Sequence, residues 1–254
     1  MNRYLALAFF ILMSLTASAM AGQARSGYAY LTPEARELQD DDFGNPGLAS
    51  VDEGRELFHR PGANGKACAA CHGDQGEKLD SERIARYPVY SERLHKPITL
   101  REKIRQCRGD KQDGPALDYA SQDAVALESF VRRLALGAPV AVDVSGPMAA
   151  HYEAGKKLFH TRWGQVDIAC HQCHDYHAGK HFRGQILTQG QSNGMPVYRL
   201  ATGEITGTHE RISQCLMSLR AEPFAIGSPE YIDFEVYMNA RGNGLKIETP
   251  AIRY

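Results

Sequence analysis

Apolar positions recur at helical spacing in several stretches of the chain, and strand-like alternation is weak throughout. In residues 122–136, Leu127, Phe130, Val131 and Leu134 fall on one helix face, and Gly137 follows as a stop. Residues 229–240 predict another helix, with Ser228 as cap, Pro229 in the first turn and Gly242 at the end. Ser50-Val51-Asp52-Glu53 reads as a capping box that opens an earlier helix. Thr99-Leu100-Arg101-Glu102 is a second box, opening a helix that leads to Cys107. Residues 138–146 lack helical periodicity and read as a linker. Residues 22–49 are polar, with Pro and Gly, and read as an extended arm.

The first residues have a different pattern. Arg3 precedes an almost unbroken apolar run over residues 5–15, and small residues follow up to Ala21. This predicts a secretory signal over residues 1–21, cleaved after Ala19 or Ala21. The run is too short to span a bilayer, and no later stretch reaches the ~20 apolar residues a span needs. The expectation is a soluble, exported protein of the periplasm.

The halves of the chain resemble each other. Gly54-Arg55-Glu56-Leu57-Phe58-His59 matches Gly155-Lys156-Lys157-Leu158-Phe159-His160. Glu102-Lys103-Ile104-Arg105-Gln106-Cys107 matches Glu210-Arg211-Ile212-Ser213-Gln214-Cys215. Each half then closes with one of the two helices above. The expected fold is mainly α: two tandem small helical domains, residues 50–137 and 147–254, related by duplication and preceded by the arm.

Composition narrows the chemistry. Lys and Arg number 29 against 30 Asp and Glu, with no basic block, so nothing argues for nucleic acid. Export would favour disulfides, yet the 6 cysteines do not form a disulfide framework. Four of them stand in Cys68-Ala69-Ala70-Cys71-His72 and Cys170-His171-Gln172-Cys173-His174. Cys-x-x-Cys-His is the c-type haem attachment signature. Two thiols three residues apart on a tight turn can add to both vinyl groups of one haem, and the histidine then lies under the iron. Two haem c groups are therefore expected, on Cys68 and Cys71 with His72, and on Cys170 and Cys173 with His174. The two helical domains are then expected to be tandem cytochrome c-type domains, in which a first and a last helix pack together around the haem. The competing reading is a zinc or redox Cys-x-x-Cys followed by an incidental histidine.

The second axial ligand sets potential and reactivity. Residues 50–137 contain no methionine, which leaves Cys107, His95 and His59. His59 reads as a surface or packing residue, and His95 lies in an irregular stretch. Cys107 is preferred because its counterpart in the duplication, Cys215, is also a cysteine. In the second half Met195, in the loop Asn193-Gly194-Met195-Pro196, competes with Cys215, while Met238 reads as core. Thiolate ligation of both irons predicts low potentials. A buried free thiol or a mutual disulfide is the bland alternative for Cys107 and Cys215. His171, His177 and His181 read as surface residues or neighbours of haem carboxylates. Arg211, four residues before Cys215, shares its helix face. It reads either as an anion-binding fork beside a reactive sulfur or as a carboxylate partner on a solvated helix. Lys103 keeps the charge in the first half as a point charge.

The second half closely resembles the A subunit family of the SoxAX cytochromes of bacterial thiosulfate oxidation. The matching segments include Gly164-Gln165, Arg183-Gly184-Gln185-Ile186, Gln189-Gly190-Gln191-Ser192-Asn193-Gly194, Tyr198-Arg199 and Arg211 through Cys215. Arg220-Ala221-Glu222-Pro223, Gly227-Ser228-Pro229-Glu230-Tyr231, Arg241-Gly242-Asn243-Gly244-Leu245 and Glu248-Thr249-Pro250 complete the pattern. The first half fits the form of the family that keeps both haems in this subunit. The resemblance implies an L-cysteine S-thiosulfotransferase that joins thiosulfate oxidatively to a cysteine of the carrier SoxYZ. It implies a monohaem SoxX partner and a small cytochrome c as electron acceptor. By position, Cys215 matches the cysteine ligand of the catalytic haem, found as a persulfide, and Arg211 the arginine expected to bind thiosulfate. Cys107 matches the thiolate ligand of the first haem. Met195 and the run Leu200-Ala201-Thr202-Gly203 depart from the family pattern, which has aromatic residues there. The other readings are a dihaem electron-transfer cytochrome, a thiosulfate dehydrogenase forming tetrathionate and, less suited to paired cysteines, a dihaem peroxidase.

Overall fold

In a computed structural model, residues 23–113 and 115–254 are described; the signal reading falls outside them. Seven longer helices organise the chain: α1 Pro33–Asp40, α2 Leu48–His59, α3 Leu100–Gln112, α4 Gln122–Arg133, α5 Met148–His160, α6 Thr208–Ser218 and α7 Pro229–Ala240. Each half pairs its first and last helix, α2 with α4 and α5 with α7.

The two pairings are near copies of one another. A Cβ on Gly54 would stand 2.1 Å from the Ala126 carbonyl oxygen; one on Gly155 would stand 2.0 Å from that of Asp233. Glycine at these positions lets the helix backbones meet directly. Above each crossing an aromatic ring fills the core. Phe58 lies 5.1 Å from Phe130, and Phe159 lies 5.3 Å from Tyr237. Gly155→Ala is therefore expected to lower stability by about 2 kcal/mol through overpacking. Chemical unfolding would measure it, and a change under about 0.5 kcal/mol, the size of an ordinary surface substitution, would contradict the close crossing.

The expected helix starts are partly met. Thr99 accepts from the Glu102 N–H at 3.1 Å and caps α3. Ser121 caps α4, and Ser228 caps α7 ahead of Pro229. The Ser50 box, however, does not open α2. That helix starts at Leu48 after Gly47, with no side-chain cap. Ser50 is buried one turn inside it, its hydroxyl directed at Ser129 Oγ, 3.4 Å away. Tertiary packing of α2 on α4 outweighs the local cap.

Strands are more numerous than the weak alternation suggested, though all are short. β1 Val89–Ser91 pairs with β2 Lys96–Ile98, β3 Arg162–Trp163 with β4 Ile168–Ala169, and β5 His181–Phe182 with β6 Gln185–Ile186. A three-stranded sheet places β7 Val197–Arg199 between antiparallel β8 Glu204–Thr206 and parallel β9 Ala251–Arg253. Strands of two or three residues leave no room for a readable period.

Within the arm, α1 adds a helix that composition did not suggest. It docks on β9 through Gln39, whose side-chain oxygen accepts from the Ile252 N–H at 3.0 Å and from Arg253 at 2.8 Å. Residues 138–146 also lie on the fold: Val140 and Val142 are buried in the first core. The Val140 N–H donates to the Leu245 carbonyl at 2.9 Å.

The halves meet over a buried cluster of charge. Arg101, 2% exposed, donates to Glu128 at 2.8 Å and forks onto Glu210 of the second half at 2.6 and 3.2 Å. Gly207 makes this crossing feasible, because a Cβ there would fall 1.8 Å from the guanidinium. The duplicated counterpart of the Arg101–Glu128 pair is His209 beside Glu235, 3.1 Å apart. Tyr119 stacks on His209 across the interface at 5.0 Å. Burial opposes the charge of Arg101, yet Glu128 and Glu210 hold its pKa well above the ordinary arginine value. Burial pushes Glu128 upward against the pull of Arg101. Arg101 and Glu210 belong to the opening turns of the helices that carry Cys107 and Cys215, so this cluster sets the two cysteines in one frame.

Candidate haem sites and the sulfur site

In the first domain, Cys68 and His72 face Cys107 across a cavity of about 390 Å³. Phe58, Leu79, Ile84, Leu100, Ile104 and Val131 line its apolar wall, and Lys103 stands at its edge. It brings together the Cys68 thiol, the His72 imidazole and the Cys107 sulfur, while Cys71 is exposed and outside its lining. A flat apolar macrocycle attached through thioethers fits such walls; a small hydrated ion does not. His59 lies outside this cavity, exposed, its ring bonded to the Arg55 carbonyl at 2.8 Å. His95 is exposed too, in the turn between β1 and β2. Neither lines the cavity.

The second domain repeats the arrangement. The Phe159 and His174 rings are 6.2 Å apart at 35°, against 6.3 Å and 35° for Phe58 and His72. His174 is fixed by its Nδ1, 2.8 Å from the Thr188 carbonyl oxygen. A carbonyl only accepts, so Nδ1 bears the proton and Nε2 is left with a free lone pair, as an iron ligand requires. Burial lowers the His174 pKa, with Arg211 and Arg241 adding to the effect against the Thr188 bond. Gly190 closes under the ring: a Cβ there would lie 3.1 Å from it.

Sulfur environments favour thioethers at the attachment positions. Burial pushes the Cys170 thiol up to about 12, helped by Cys215 and Cys173 nearby. Burial likewise raises Cys173 and Cys68. Among the described residues, no three His, Cys, Asp or Glu side chains converge as a metal-ion cluster.

Arg211 and Cys215 share one face of α6, as the four-residue spacing predicts. The Arg211 Nη1 stands 3.3 Å from the Cys215 Sγ. This brings Arg211, Cys170, Cys173, His174 and Cys215 into a single site. His171 stacks on His160 at 4.6 Å, while His177 and His181 are exposed. Met238 packs against the second core as expected. The loop with Met195 is fastened to the C-terminal segment. Its carbonyl accepts from the Thr249 hydroxyl at 2.5 Å, and the buried Asn193 donates to the Lys246 carbonyl at 2.8 Å.

Sequence reasoning assigned no role to Thr188, Gly190, Gln214 or Arg199, all placed around this site. Arg241 also belongs here: it pairs with Asp175 at 2.5 Å and lies over the Phe159 ring at 4.7 Å. Arg199, Gly190 and Arg241 stood inside matched motifs, but nothing in their spacing tied them to Cys215.

Comparison with known proteins agrees with this architecture. The sequence model of the SoxA/TsdA cytochrome c domain matches residues 53–140 and 154–247. The chain is 38% identical over 91% of its length to an L-cysteine S-thiosulfotransferase subunit SoxA of Rhodovulum sulfidophilum, covering 80% of it. It is 37% identical over 90% of its length to the subunit of the same name from Pseudaminobacter salicylatoxidans, again covering 80%. A crystal structure of SoxXA from P. pantotrophus superposes with a TM-score of 0.84 at 31% identity, covering 91% of this chain and 87% of that one. Matched in both halves and over nine-tenths of its length, the chain belongs to the SoxA/TsdA cytochrome c family and is a haem c protein.

Proposed function

We infer that this chain is the haem subunit of an L-cysteine S-thiosulfotransferase. It carries two haems, held by Cys68, Cys71 and His72 with Cys107, and by Cys170, Cys173 and His174 with Cys215. The observation that supports the reaction most directly is the Arg211 guanidinium 3.3 Å from the Cys215 sulfur, beside a haem attachment motif. The relatives named for this activity, and the SoxXA structure, support a SoxX-type partner. SoxYZ as carrier, a small cytochrome c as electron acceptor and a periplasmic site of action complete the reading. Among the described residues, no helix is long and apolar enough to cross a membrane.

The net chemistry balances as a two-electron oxidation. Thiosulfate, charge −2, and a carrier thiolate, charge −1, give one S–S bond in a product of charge −1 and release two electrons. When bound, the haems supply the acceptor for those electrons. The chain's own groups do the rest. Arg211 offers a fork to the sulfur oxyanion and lowers the repulsion between two anions that must meet. Cys215 is the sulfur at which thiosulfate and the carrier cysteine are brought together. Duplication supports Cys215 over Met195 as the ligand, since Cys107 occupies the same place in the first domain. Lys103 precedes Cys107 on α3 by the same four residues as Arg211 precedes Cys215 on α6.

Thiosulfate added to the oxidised complex should reduce its haems only when a carrier with its free cysteine is present. Reduction by thiosulfate alone, with tetrathionate formed, would instead establish a thiosulfate dehydrogenase. No reduction in either mixture would leave an electron-transfer cytochrome.

A further inference from the structure

Arg199 stands on β7, 6% exposed. Its Nη1 donates to the Gln214 side-chain oxygen at 2.9 Å, and its Nε finds no partner. Its electrostatic neighbours are Arg211, which is like-charged, and Cys215. Burial and Arg211 together lower its pKa to about 10, against the pull of Cys215. Several other buried or half-buried arginines lie beside carboxylates, whereas Arg36 and Arg108 share with Arg199 an unpartnered nitrogen. Arg101 has Glu128 and Glu210, Arg253 has Glu248 at 2.8 Å, Arg241 has Asp175, and Arg132 lies within the field of Glu128 and Glu235. Arg199 has no carboxylate among the described residues that act on it.

A buried cation without a counter-charge is costly, and a second guanidinium acting on it raises that cost. A fold that keeps both is shaped for an anion it does not itself contain. We propose that Arg199 and Arg211 form one anion seat at Cys215, and that Arg199 is a further binding residue for the doubly charged sulfur oxyanion. Two sources could supply an anion here: the substrate, or a carboxylate of the cofactor. The substrate fits better. Arg199 is tied to Gln214, the chain neighbour of Cys215, and acts on the same sulfur that Arg211 contacts. Gln214 holds one nitrogen of the fork and leaves Nε free for the ligand. The seat also explains a duplication that is only partial. Lys103 replaces Arg211 in the first domain, which therefore lacks a guanidinium one helical turn before its cysteine.

This proposal rests on the function inferred above, and two measurements separate them. Binding of labelled thiosulfate to the oxidised holo-complex by equilibrium dialysis tests the seat. Arg199→Gln should weaken binding about 10- to 100-fold, as loss of a charge-assisted hydrogen bond does, and Arg199→Lys should recover part of it. The midpoint potential of the second haem should stay unchanged in Arg199→Lys, which keeps the charge. Wild-type affinity in Arg199→Gln overturns the proposal, and a shifted potential with it would assign Arg199 to the cofactor's carboxylates. If Arg199→Gln fails to retain haem, Arg199→Lys decides: weakened binding supports the fork, and unchanged binding overturns it. A wild-type complex that binds thiosulfate but does not conjugate it refutes the enzyme reading and leaves the seat standing. A complex that conjugates while Arg199→Gln binds normally refutes the seat alone.

Discussion

Replacing Cys215 with alanine is expected to lower thiosulfate conjugation by about a thousandfold or more, as loss of a group at the reacting centre does in other enzymes. The sulfur stands 3.3 Å from Arg211 and shares its site with Cys170, Cys173 and His174. Removing it takes away the reacting centre and an axial ligand in one step. Spin resonance of the ferric protein should then lose one thiolate-ligated signal and keep the other. Cys107→Ala supplies the contrast, because Lys103, a point charge, stands where the second site has Arg211. It should remove the other signal and leave conjugation less affected. Equal and complete loss in both variants would show that Cys215 has no special part in the chemistry. Full conjugation in Cys215→Ala would remove it from the mechanism.

Breaking the interface cluster should produce the largest change in stability. Arg101→Met leaves the buried Glu128 and the partly buried Glu210 without the guanidinium that both of them use. Removing one partner from a buried ion pair costs about 3–5 kcal/mol, a large share of the stability of an ordinary domain. Denaturant unfolding of the holo-protein, followed by circular dichroism, would measure it. The triple change Arg101→Met, Glu128→Met and Glu210→Met should recover most of the loss, since well-packed apolar groups replace such clusters at little cost. A loss under about 1 kcal/mol, typical of an exposed pair, would mean that water reaches the cluster.

What could be read from the chain followed from how local each signal is. The duplication and helices α3, α4 and α7 are set by residues close in sequence, and the fold contains them as expected. Even the Phe–His ring geometry repeats between the halves, which repeated segments around Gly54 and Gly155 foreshadow. The misses are non-local. Ser50 looked like a cap because its neighbours fit the pattern, but the face it occupies is claimed by α4. The short strands have no period to detect, and α1 is held by Gln39 reaching β9, more than two hundred residues away in the chain. Arg199 is the same kind of miss at the site: its meaning comes from Gln214 and Cys215 across the fold.

The mass of the carrier's cysteine peptide tests the central claim most directly. After incubation of the oxidised complex with thiosulfate and carrier, that peptide should gain one –SSO₃⁻ group in place of its thiol hydrogen, with two electrons delivered to the acceptor for each group added. An unchanged peptide alongside accumulated tetrathionate would contradict the account and make this chain a thiosulfate dehydrogenase.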